Sequence, residues 1–534
     1  MRVKLFLSLL MMSLMAVSQS KVWKSDLGNG MYRNPVLHAD YSDPDVCRVG
    51  DDYWMTASSF NCSPGLPILH SRDMINWTLV NYAIRKQFPE EVFNSPQHGG
   101  GVWAPSIRFH KGEFYIYYGD PDFGIYMLKT KDPRGKWSKP VLVKGGKGLI
   151  DPAPLWDDDG KAYVSHAYAG SRAGLKSVVA VFPMSPDGTT AIGDSRIVFD
   201  GHEGHPTIEG TKFHKRNGYY YILAPAGGVT YGWQVALRSK NVYGPYELKK
   251  VMHQGKTNIN GPHQGAWVET KQGEHWFFHF QDKYAYGRVV MLQPMKWVNN
   301  WPVMGVDEQG TGLGEPVATY RKPNVGKRYP IATPPDSDEF NSNELGLQWQ
   351  WHANENPLWY FADAANGRLR LYSFQIPANY VSLWQIPNLL LQKFPAPVFR
   401  ATAKVTFTPD PRYKGERAGL LVMGYDYGLL SMENTEQGIV LSQNSCRNAN
   451  RGSRETVNAS VKLEQSTVYL RVEVSQGAMC RFSFSYDNVN FIDLGNELKA
   501  NTGQWIGAKM GFFITRPILS NDGGWLDVDW FRVE

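Results

Sequence analysis

The sequence predicts an all-β protein in which a five-bladed β-propeller is followed by a β-sandwich. One hairpin pattern recurs along the first part of the chain: a polar residue, alternating apolar positions, a Gly turn and an aromatic-aliphatic strand. The pattern begins at residues 43, 104, 151, 209 and 263, so that successive starts lie 61, 47, 58 and 54 residues apart. A period of this length with several short strands per unit is typical of propeller blades. Helical periodicity is scarce along the whole chain.

The N-terminal segment, residues 1–20, has the features of a signal peptide. Arg2 and Lys4 form a basic region, Leu5–Ala16 an apolar core, and Ala16-Val17-Ser18 a run of small residues suited to cleavage. The apolar run is too short for a transmembrane helix, and no later segment is apolar enough to span a membrane. The sequence therefore predicts an exported protein, periplasmic or extracellular.

Composition and charge narrow the class of protein. Aromatic residues make up 13% of the 534 residues, with 18 Trp and 28 Tyr, which suits β-sheets, sugar-stacking surfaces or both. The net charge of +6 is small for this length and no run of Lys and Arg stands out, so no nucleic-acid partner is predicted. Four cysteines are too few for a disulfide framework. We favour buried free thiols for Cys47, Cys62, Cys446 and Cys480. Disulfide pairing within each half of the chain stays open as the alternative.

The propeller is predicted to span residues 30–328. Its clearest hairpin is Ile208–Leu223, in which Gly218 marks the turn. A second hairpin within the first unit, Leu66–Trp77, recurs in looser form at Ile125–Asp132 and Val235–Lys240, and these runs would form the outer strands of the blades. The innermost strand of each blade then lines a central channel.

A Pro-rich segment at residues 329–337 interrupts the repeat. We interpret it as the linker to a second domain, residues 338–534. Beyond it, alternating runs with Gly and Asn turns indicate an antiparallel β-sandwich. The predicted strands are Phe399–Thr406, Ala418–Met423, Val468–Val474, Phe482–Tyr486, Lys509–Ile514 and Trp525–Val533. This domain is either an independent carbohydrate-binding module or a packing partner whose loop helps to wall the active site. The short linker favours the second reading.

Three of the five units begin with a carboxylate. Because Asp43, Asp151 and Glu209 hold equivalent places at the mouth of the channel, we expect their side chains to converge. Repulsion and partial burial would keep one of three neighbouring acids protonated and leave another charged. Hydrolysis of a glycosidic bond needs such a pair, an acid for the leaving oxygen and a carboxylate opposite it. Each motif alone could be a turn. Catalysis is favoured because a carboxylate holds the same position in three repeats.

Four motifs resemble the signatures of glycoside hydrolase family 43, in order and in spacing: Y-S-D-P-D at 41–45, G-V-W-A-P at 101–105, I-D-P-A-P at 150–154 and P-T-I-E-G at 206–210. Downstream, F-N at 340–341 and L-G-L-Q-W-Q-W at 345–351 are similar to the C-terminal sandwich, of jelly-roll and concanavalin-like type, of the family's β-xylosidase members. The resemblance implies that Asp43 is the general base that activates water and Glu209 the general acid. It implies that Asp151 orients Glu209 and keeps it protonated. It also implies inversion at xylosyl or arabinofuranosyl linkages.

The resemblance further implies residues that bind the sugar. Trp103 is a candidate wall for a pentose ring, with a core aromatic as the open alternative. Phe60 matches a family position at the terminal sugar subsite, and Arg288 resembles the arginine that hydrogen-bonds sugar hydroxyls. His263 stands where many members have a histidine that contacts a calcium ion, largely through water; otherwise it is a structural hydrogen-bonding residue. Residues 61–63, Asn-Cys-Ser, replace the bulky aromatics usual there, which predicts a wider or differently shaped pocket.

The sequence thus predicts an exported, exo-acting, inverting glycosidase that releases terminal β-D-xylose or α-L-arabinofuranose from plant cell-wall polysaccharides or oligosaccharides. No cofactor is required in this reading, and a structural calcium near His263 stays open. Two alternatives are carried. A non-catalytic carbohydrate-binding propeller would not need all three acids, and a sialidase-type propeller is suggested by an Asp-box-like turn, Ser71–Trp77, although its six blades do not fit the repeat.

Overall fold

The protein is described here by a computed structural model that covers residues 20–534. The predicted signal peptide lies outside the described residues except for Ser20. The described chain is built almost entirely of β-strands, with three four-residue helices at Glu90–Phe93, Gly170–Ala173 and Gly228–Tyr231. In residues 20–534 no helix combines the length and the apolar character that a membrane crossing requires.

Residues 31–304 form β1 and five four-stranded antiparallel blades, which confirms the predicted propeller. Strand β1 is Met31–Arg33, and blade I contains β2 (Asp45–Val49), β3 (Asp52–Thr56), β4 (Gly65–Ser71) and β5 (Trp77–Ile84). Blade II contains β6 (Trp103–His110), β7 (Glu113–Asp120), β8 (Gly124–Thr130) and β9 (Val141–Gly145). Blade III contains β10 (Leu149–Trp156), β11 (Ala162–Tyr168), β12 (Val178–Met184) and β13 (Arg196–Asp200).

Blade IV contains β14 (Lys212–Arg216), β15 (Tyr219–Ala226), β16 (Trp233–Ser239) and β17 (Glu247–Met252). Blade V contains β18 (Trp267–Glu269), β19 (His275–Asp282), β20 (Arg288–Val298) and β21 (Trp301–Met304). Five blades in the described chain contradict the six-bladed sialidase alternative. The Ser71–Trp77 run is the turn between β4 and β5, where the Asp73 carboxylate accepts the backbone N–H groups of Ile75 and Asn76.

The hairpin of blade IV shows why these sequences form blades. Asn217 and Gly218 join β14 to β15, and both have positive φ angles, 50° and 71°, as a two-residue type I′ hairpin turn requires. On one face of this sheet Phe213 and Ile222 are buried in a core shared with blade III. The alternation of the sequence thus places its apolar face between neighbouring blades.

The backbone is irregular where three of the blades begin, at the mouth of the channel. Asp43, Ala104 and Asp151 all have positive φ angles, 53°, 41° and 58°, and each precedes a proline. The strand register slips between Trp103 and Ser106 and again across Asp151, as in a β-bulge. A proline has no N–H to donate to the ladder and is tolerated at a bulge, which re-aims the neighbouring side chain. The Asp-Pro and Ala-Pro pairs therefore turn their first side chains toward the channel.

The N-terminal segment closes the propeller. Strand β1 pairs with β22 (Thr319–Arg321), and Leu37 forms an isolated bridge with Val290 of blade V. The Asn34 side chain donates to the Leu292 carbonyl and accepts from the Leu292 N–H. Blade V is therefore held to the chain that leads into blade I.

The C-terminal domain is a β-sandwich of two eight-stranded sheets, as predicted. Its first strands are β23 (Gln350–Trp351), β24 (Tyr360–Asp363), β25 (Arg368–Tyr372), β26 (Phe374–Gln375), β27 (Leu390–Lys393), β28 (Phe399–Thr408), β29 (Arg417–Met423) and β30 (Tyr427–Thr435). The others are β31 (Gly438–Cys446), β32 (Thr456–Lys462), β33 (Thr467–Ser475), β34 (Met479–Ser485), β35 (Ile492–Asp493), β36 (Leu498–Lys499), β37 (Lys509–Arg516) and β38 (Trp525–Val533). All six predicted strands are present, with ends that differ by at most three residues, and the other ten strands of the sandwich, β23 to β27, β30 to β32, β35 and β36, were not predicted.

Backbone and amide groups join the two domains. Ser63 of the propeller forms a β-bridge with Trp351 of the sandwich, and the Gln87 backbone N–H donates to the Asn354 side chain at 2.7 Å. The Gly507 N–H donates to the buried Asp40 carboxylate at 2.9 Å. The sandwich is thus a packing partner of the propeller, in agreement with the reading favoured from the linker.

The cysteines are free thiols, as favoured from their number. The segment after Phe60 was expected to reshape the pocket, but Asn61 and Cys62 are buried at the domain interface. The Asn61 side chain donates to the His352 carbonyl of the sandwich, and the Lys509 amine donates to the Cys62 sulfur at 2.9 Å. These two side chains therefore contact the sandwich, and the wider or differently shaped pocket stays a prediction.

Candidate active site

A cavity of about 500 Å³ lies at the mouth of the propeller channel, and all seven site residues predicted from the sequence line it. These are Asp43, Phe60, Trp103, Asp151, Glu209, His263 and Arg288. They come from five blades and lie up to 245 positions apart in the chain (288 − 43). Their convergence follows from the propeller geometry, in which every blade brings the start of its inner strand to the same axis.

Asp43 is buried and held by hydroxyl donors. The hydroxyls of Ser42 and Ser58 donate to its Oδ2 at 2.8 and 2.6 Å. The Arg288 Nη1 lies 3.5 Å from the other oxygen, Oδ1, and donates to the Ser42 hydroxyl at 2.9 Å. One oxygen is thus fixed by two hydrogen bonds, and the second faces the cavity beside a guanidinium. This arrangement orients a carboxylate for accepting a proton from water.

Asp151 is buried and Glu209 is the more exposed of the pair, with 30% of its side chain accessible. The Gly210 N–H donates to Asp151 Oδ2 at 2.6 Å, so the residue after Glu209 is tied directly to Asp151. Burial, followed by the charge of the Glu209 carboxylate, raises the pKa of Asp151 to about 8. The raised pKa favours a protonated Asp151 at neutral pH. Glu209 is the carboxyl of the two with the greater access to the cavity.

A buried cation lies under the carboxylates. Lys212 is fully buried, and its amine donates to the Pro105 carbonyl and the Ser106 hydroxyl, both at 2.9 Å. It also lies 3.9 Å from Asp45, whose carboxylate accepts from Arg108 at 2.5 Å. The attraction of Lys212 lowers the pKa of Asp151 but does not offset the effects of burial and Glu209. These groups fix the inner strands of three blades relative to each other.

Aromatic side chains form one wall of the cavity. The Trp103 ring lies 6.1 Å from Phe60 and 5.9 Å from Trp505, with interplanar angles of 67° and 71°. The Trp103 indole N–H donates to the Gly99 carbonyl at 2.9 Å, which fixes the ring. Flat apolar faces next to carboxylates suit a sugar ring, whose C–H face packs on an aromatic side chain while its hydroxyls bond to polar groups.

Trp505 is a site residue that the sequence did not reveal. It belongs to the sandwich, its side chain is 45% exposed, and its φ angle of +64° is in the left-handed region that bulky residues avoid. Gly99 of the propeller makes room for its loop, because a Cβ there would lie 2.3 Å from the Gln504 side chain. In the sequence, Trp505 is marked only by its position between two glycines, at 503 and 507, outside the alternating runs of the second domain. Gln264, Thr207 and Tyr168 also line the cavity and were not predicted.

His263 contacts the Glu209 carboxylate. Its Nε2 lies 3.3 Å from Glu209 Oε1, and its Nδ1 is buried with no hydrogen-bond partner. Calcium usually takes six to eight oxygen ligands. The described residues 20–534 contain no group of three or more His, Cys, Asp or Glu side chains that could hold a metal ion. The contact fits a hydrogen bond between imidazole and carboxylate, and a calcium ion near His263, contacted largely through water, stays a prediction.

Family models match both domains. The model for glycosyl hydrolases family 43 matches residues 32–302, and the model for the beta xylosidase C-terminal concanavalin A-like domain matches residues 337–534. A beta-xylosidase from Formosa agariphila is 31% identical over 565 residues, which cover 97% of this chain and 93% of that protein. A non-reducing end alpha-L-arabinofuranosidase from Bacteroides ovatus is 31% identical over 437 residues, 78% of each chain.

A solved structure, the GH43B protein of a Bacteroides ovatus xyloglucan PUL, superposes with a TM-score of 0.78 at 26% identity. The match covers 94% of this chain and 99% of that one. The architecture, the acids at the channel mouth and the family models agree. The chain therefore belongs to glycosyl hydrolases family 43 and is a glycosidase.

Proposed function

We propose that this glycosidase releases terminal pentoses, β-D-xylose or α-L-arabinofuranose, from plant cell-wall polysaccharides or oligosaccharides, with inversion at the anomeric carbon. The observation that carries the proposal is the difference in environment between the acids of one cavity. Asp43 accepts hydroxyl donors beside a guanidinium, whereas burial and the neighbouring Glu209 carboxylate raise the pKa of Asp151. One site thus offers both a base and an acid, which glycoside hydrolysis requires.

In the proposed reaction, water attacks the anomeric carbon while Asp43 takes a proton from it. Glu209 gives its proton to the glycosidic oxygen, so the bond to the leaving sugar breaks as the bond to water forms. Asp151 holds Glu209 in place through the Gly210 N–H. Arg288, between Asp43 and the cavity, is placed to donate to a sugar hydroxyl. In inverting enzymes the two carboxyls stand far enough apart for a water molecule.

Two features support action on a chain end. The cavity lies at the mouth of a channel whose floor is filled by buried side chains such as Lys212. Trp505 and Phe60 wall it from two domains, and the similarity to a named non-reducing end arabinofuranosidase points the same way. We also propose, from residues 1–20, that the protein is exported.

Assays with the nitrophenyl derivatives of β-D-xylose and α-L-arabinofuranose test the proposal. Turnover of at least one of them is expected from the wild-type protein. Turnover of neither would refute the substrate class. The alternative of a binding propeller without catalysis is not retained, because the family match makes the chain a glycosidase.

The pH profile follows from the raised pKa of Asp151. Since the reaction needs a protonated carboxyl in this pair and the pKa of Asp151 is raised to about 8, activity should be present below this value and fall as the pH rises through it. In Asp151→Asn the amide oxygen can still accept from Gly210, but the repulsion between the two carboxyls is gone. We expect the alkaline limb of kcat to move down by about one pH unit or more. A profile with an unchanged alkaline limb in the variant would exclude Asp151 as the residue that sets this limb.

Replacement of Trp505 should weaken substrate binding with little effect on the stability of the protein. It is half-exposed and packs edge-on against Trp103, so Trp505→Ala should raise KM for the nitrophenyl pentoside about fivefold. The melting temperature should stay close to that of the wild type because no core is opened. Trp530→Ala, on the outer sheet of the sandwich, is the matched control. Equal KM values for the two variants would remove Trp505 from the site.

A further inference from the structure

A groove of about 370 Å³ lies beside the active-site cavity, between blade V and the sandwich. Polar and aromatic side chains of the propeller and a short loop of the sandwich line it, and the lining includes Asn260, Asp282, Tyr284 and Lys499. The mechanism proposed above uses none of these groups. The groove and the cavity have no lining residue in common, but they adjoin each other.

Three chain segments bring the two spaces next to each other. In blade V, Asp282 lines the groove and lies 3.9 Å from the Nε of Arg288, which lines the cavity. In the loop before blade V, the Asn260 amide donates to the Thr230 carbonyl, next to Val229 of the cavity wall. In the sandwich, Lys499 lines the groove, and the loop that follows it carries Trp505 of the cavity wall. The groove thus adjoins the cavity, with the contact between Asp282 and Arg288 at their border.

Tyr284 is the aromatic surface of this groove. Its side chain is 51% exposed, and its φ angle of +56° is left-handed for a residue with a large side chain. The Asp282 carboxylate accepts its backbone N–H at 3.0 Å, which holds this turn. Its hydroxyl donates to Asn501 of the sandwich at 2.9 Å, so both ends of the residue are fixed. A strained backbone that presents a fixed, exposed ring beside an active site points to a binding role.

We propose that the groove binds the part of an oligosaccharide that extends beyond the bond cleaved, with Tyr284 as the stacking surface for one of its sugars. The proposal rests on the proposed function, because the terminal sugar must occupy the cavity. Asn260, Asp282 and Lys499 supply the amide, carboxylate and ammonium groups that sugar hydroxyls bind. The preferred substrate is therefore an oligomer of several sugars rather than a disaccharide.

The test compares long and short substrates in the Tyr284→Ala variant. The long substrate is xylohexaose or an arabinofuranosyl-substituted xylopentaose, whichever the wild type cleaves, and the short one is the nitrophenyl derivative of the same pentose. We expect KM for the long substrate to rise about tenfold, as for the loss of an aromatic anchor. The kcat/KM for the nitrophenyl pentoside should stay within about twofold of the wild type. Tyr284→Phe, which keeps the ring, should retain most of the wild-type preference for the long substrate.

Tyr219→Ala is the control, since that tyrosine lies at the turn of blade IV opposite the channel mouth. Equal losses on both substrates in Tyr284→Ala, or no loss on either, would overturn the groove as a sugar site. A wild-type protein that cleaves no pentoside at all would overturn the proposed function, and with it this inference. The two failures are therefore told apart by the wild-type assay alone.

Discussion

Replacement of Glu209 by Gln should lower kcat on an oligosaccharide by about 10²–10⁴-fold, the usual contribution of a general acid. The amide has nearly the shape of the protonated carboxyl but cannot give up a proton to the glycosidic oxygen. The loss should be much smaller on a nitrophenyl pentoside, because nitrophenolate leaves without protonation. The measurement is the ratio of the two losses in the same variant.

Glu203→Gln is the matched control, because this exposed residue precedes Glu209 in the same segment and does not line the cavity. It should behave as the wild type on both substrates. A Glu209→Gln variant that loses the same factor on both substrates would contradict the role of acid. Full activity in that variant would remove Glu209 from catalysis altogether.

Much of the site followed from the sequence because the propeller repeats. The repeat fixed which residues begin the inner strands, so Asp43, Asp151 and Glu209 could be brought together without knowledge of any distance. The structure shows a further property of the two Asp-Pro pairs that their sequence alone does not reveal. Each places its carboxylate on a left-handed residue at the start of a strand, and the proline is the residue that tolerates the irregular ladder.

Residues outside the repeat could not be placed in this way. Trp505 comes from the sandwich, whose strands have no period, and its position depends on how the two domains dock. The same docking explains Asn61 and Cys62, which stand where bulky aromatics are usual in the family and which are buried against the sandwich. Tyr284 was missed because a turn between strands gives no hydrophobic pattern. Contacts between domains depend on surface shape, which periodicity does not encode.

The assignment of Glu209 as the acid and Asp43 as the base came from the family resemblance. A variant of Asp43 tests the base, as the Glu209 variant tests the acid. Replacement by Asn removes the group that takes a proton from water while keeping the hydrogen bonds of Ser42 and Ser58. We expect kcat to fall by about 10²–10⁴-fold. Asp51→Asn, at the other end of the same blade, is the control and should retain activity.

The fall in Asp43→Asn should be the same for nitrophenyl pentosides and oligosaccharides, because activation of water is needed whatever group leaves. This behaviour is the opposite of that expected for Glu209→Gln, so the pair of variants assigns acid and base without reference to any relative. The first sugar released by the wild type, followed by NMR, should have the inverted anomeric configuration, since Asp43 acts through water and not by direct attack. A retained configuration would instead make Asp43 the nucleophile, with the same residues in the same cavity.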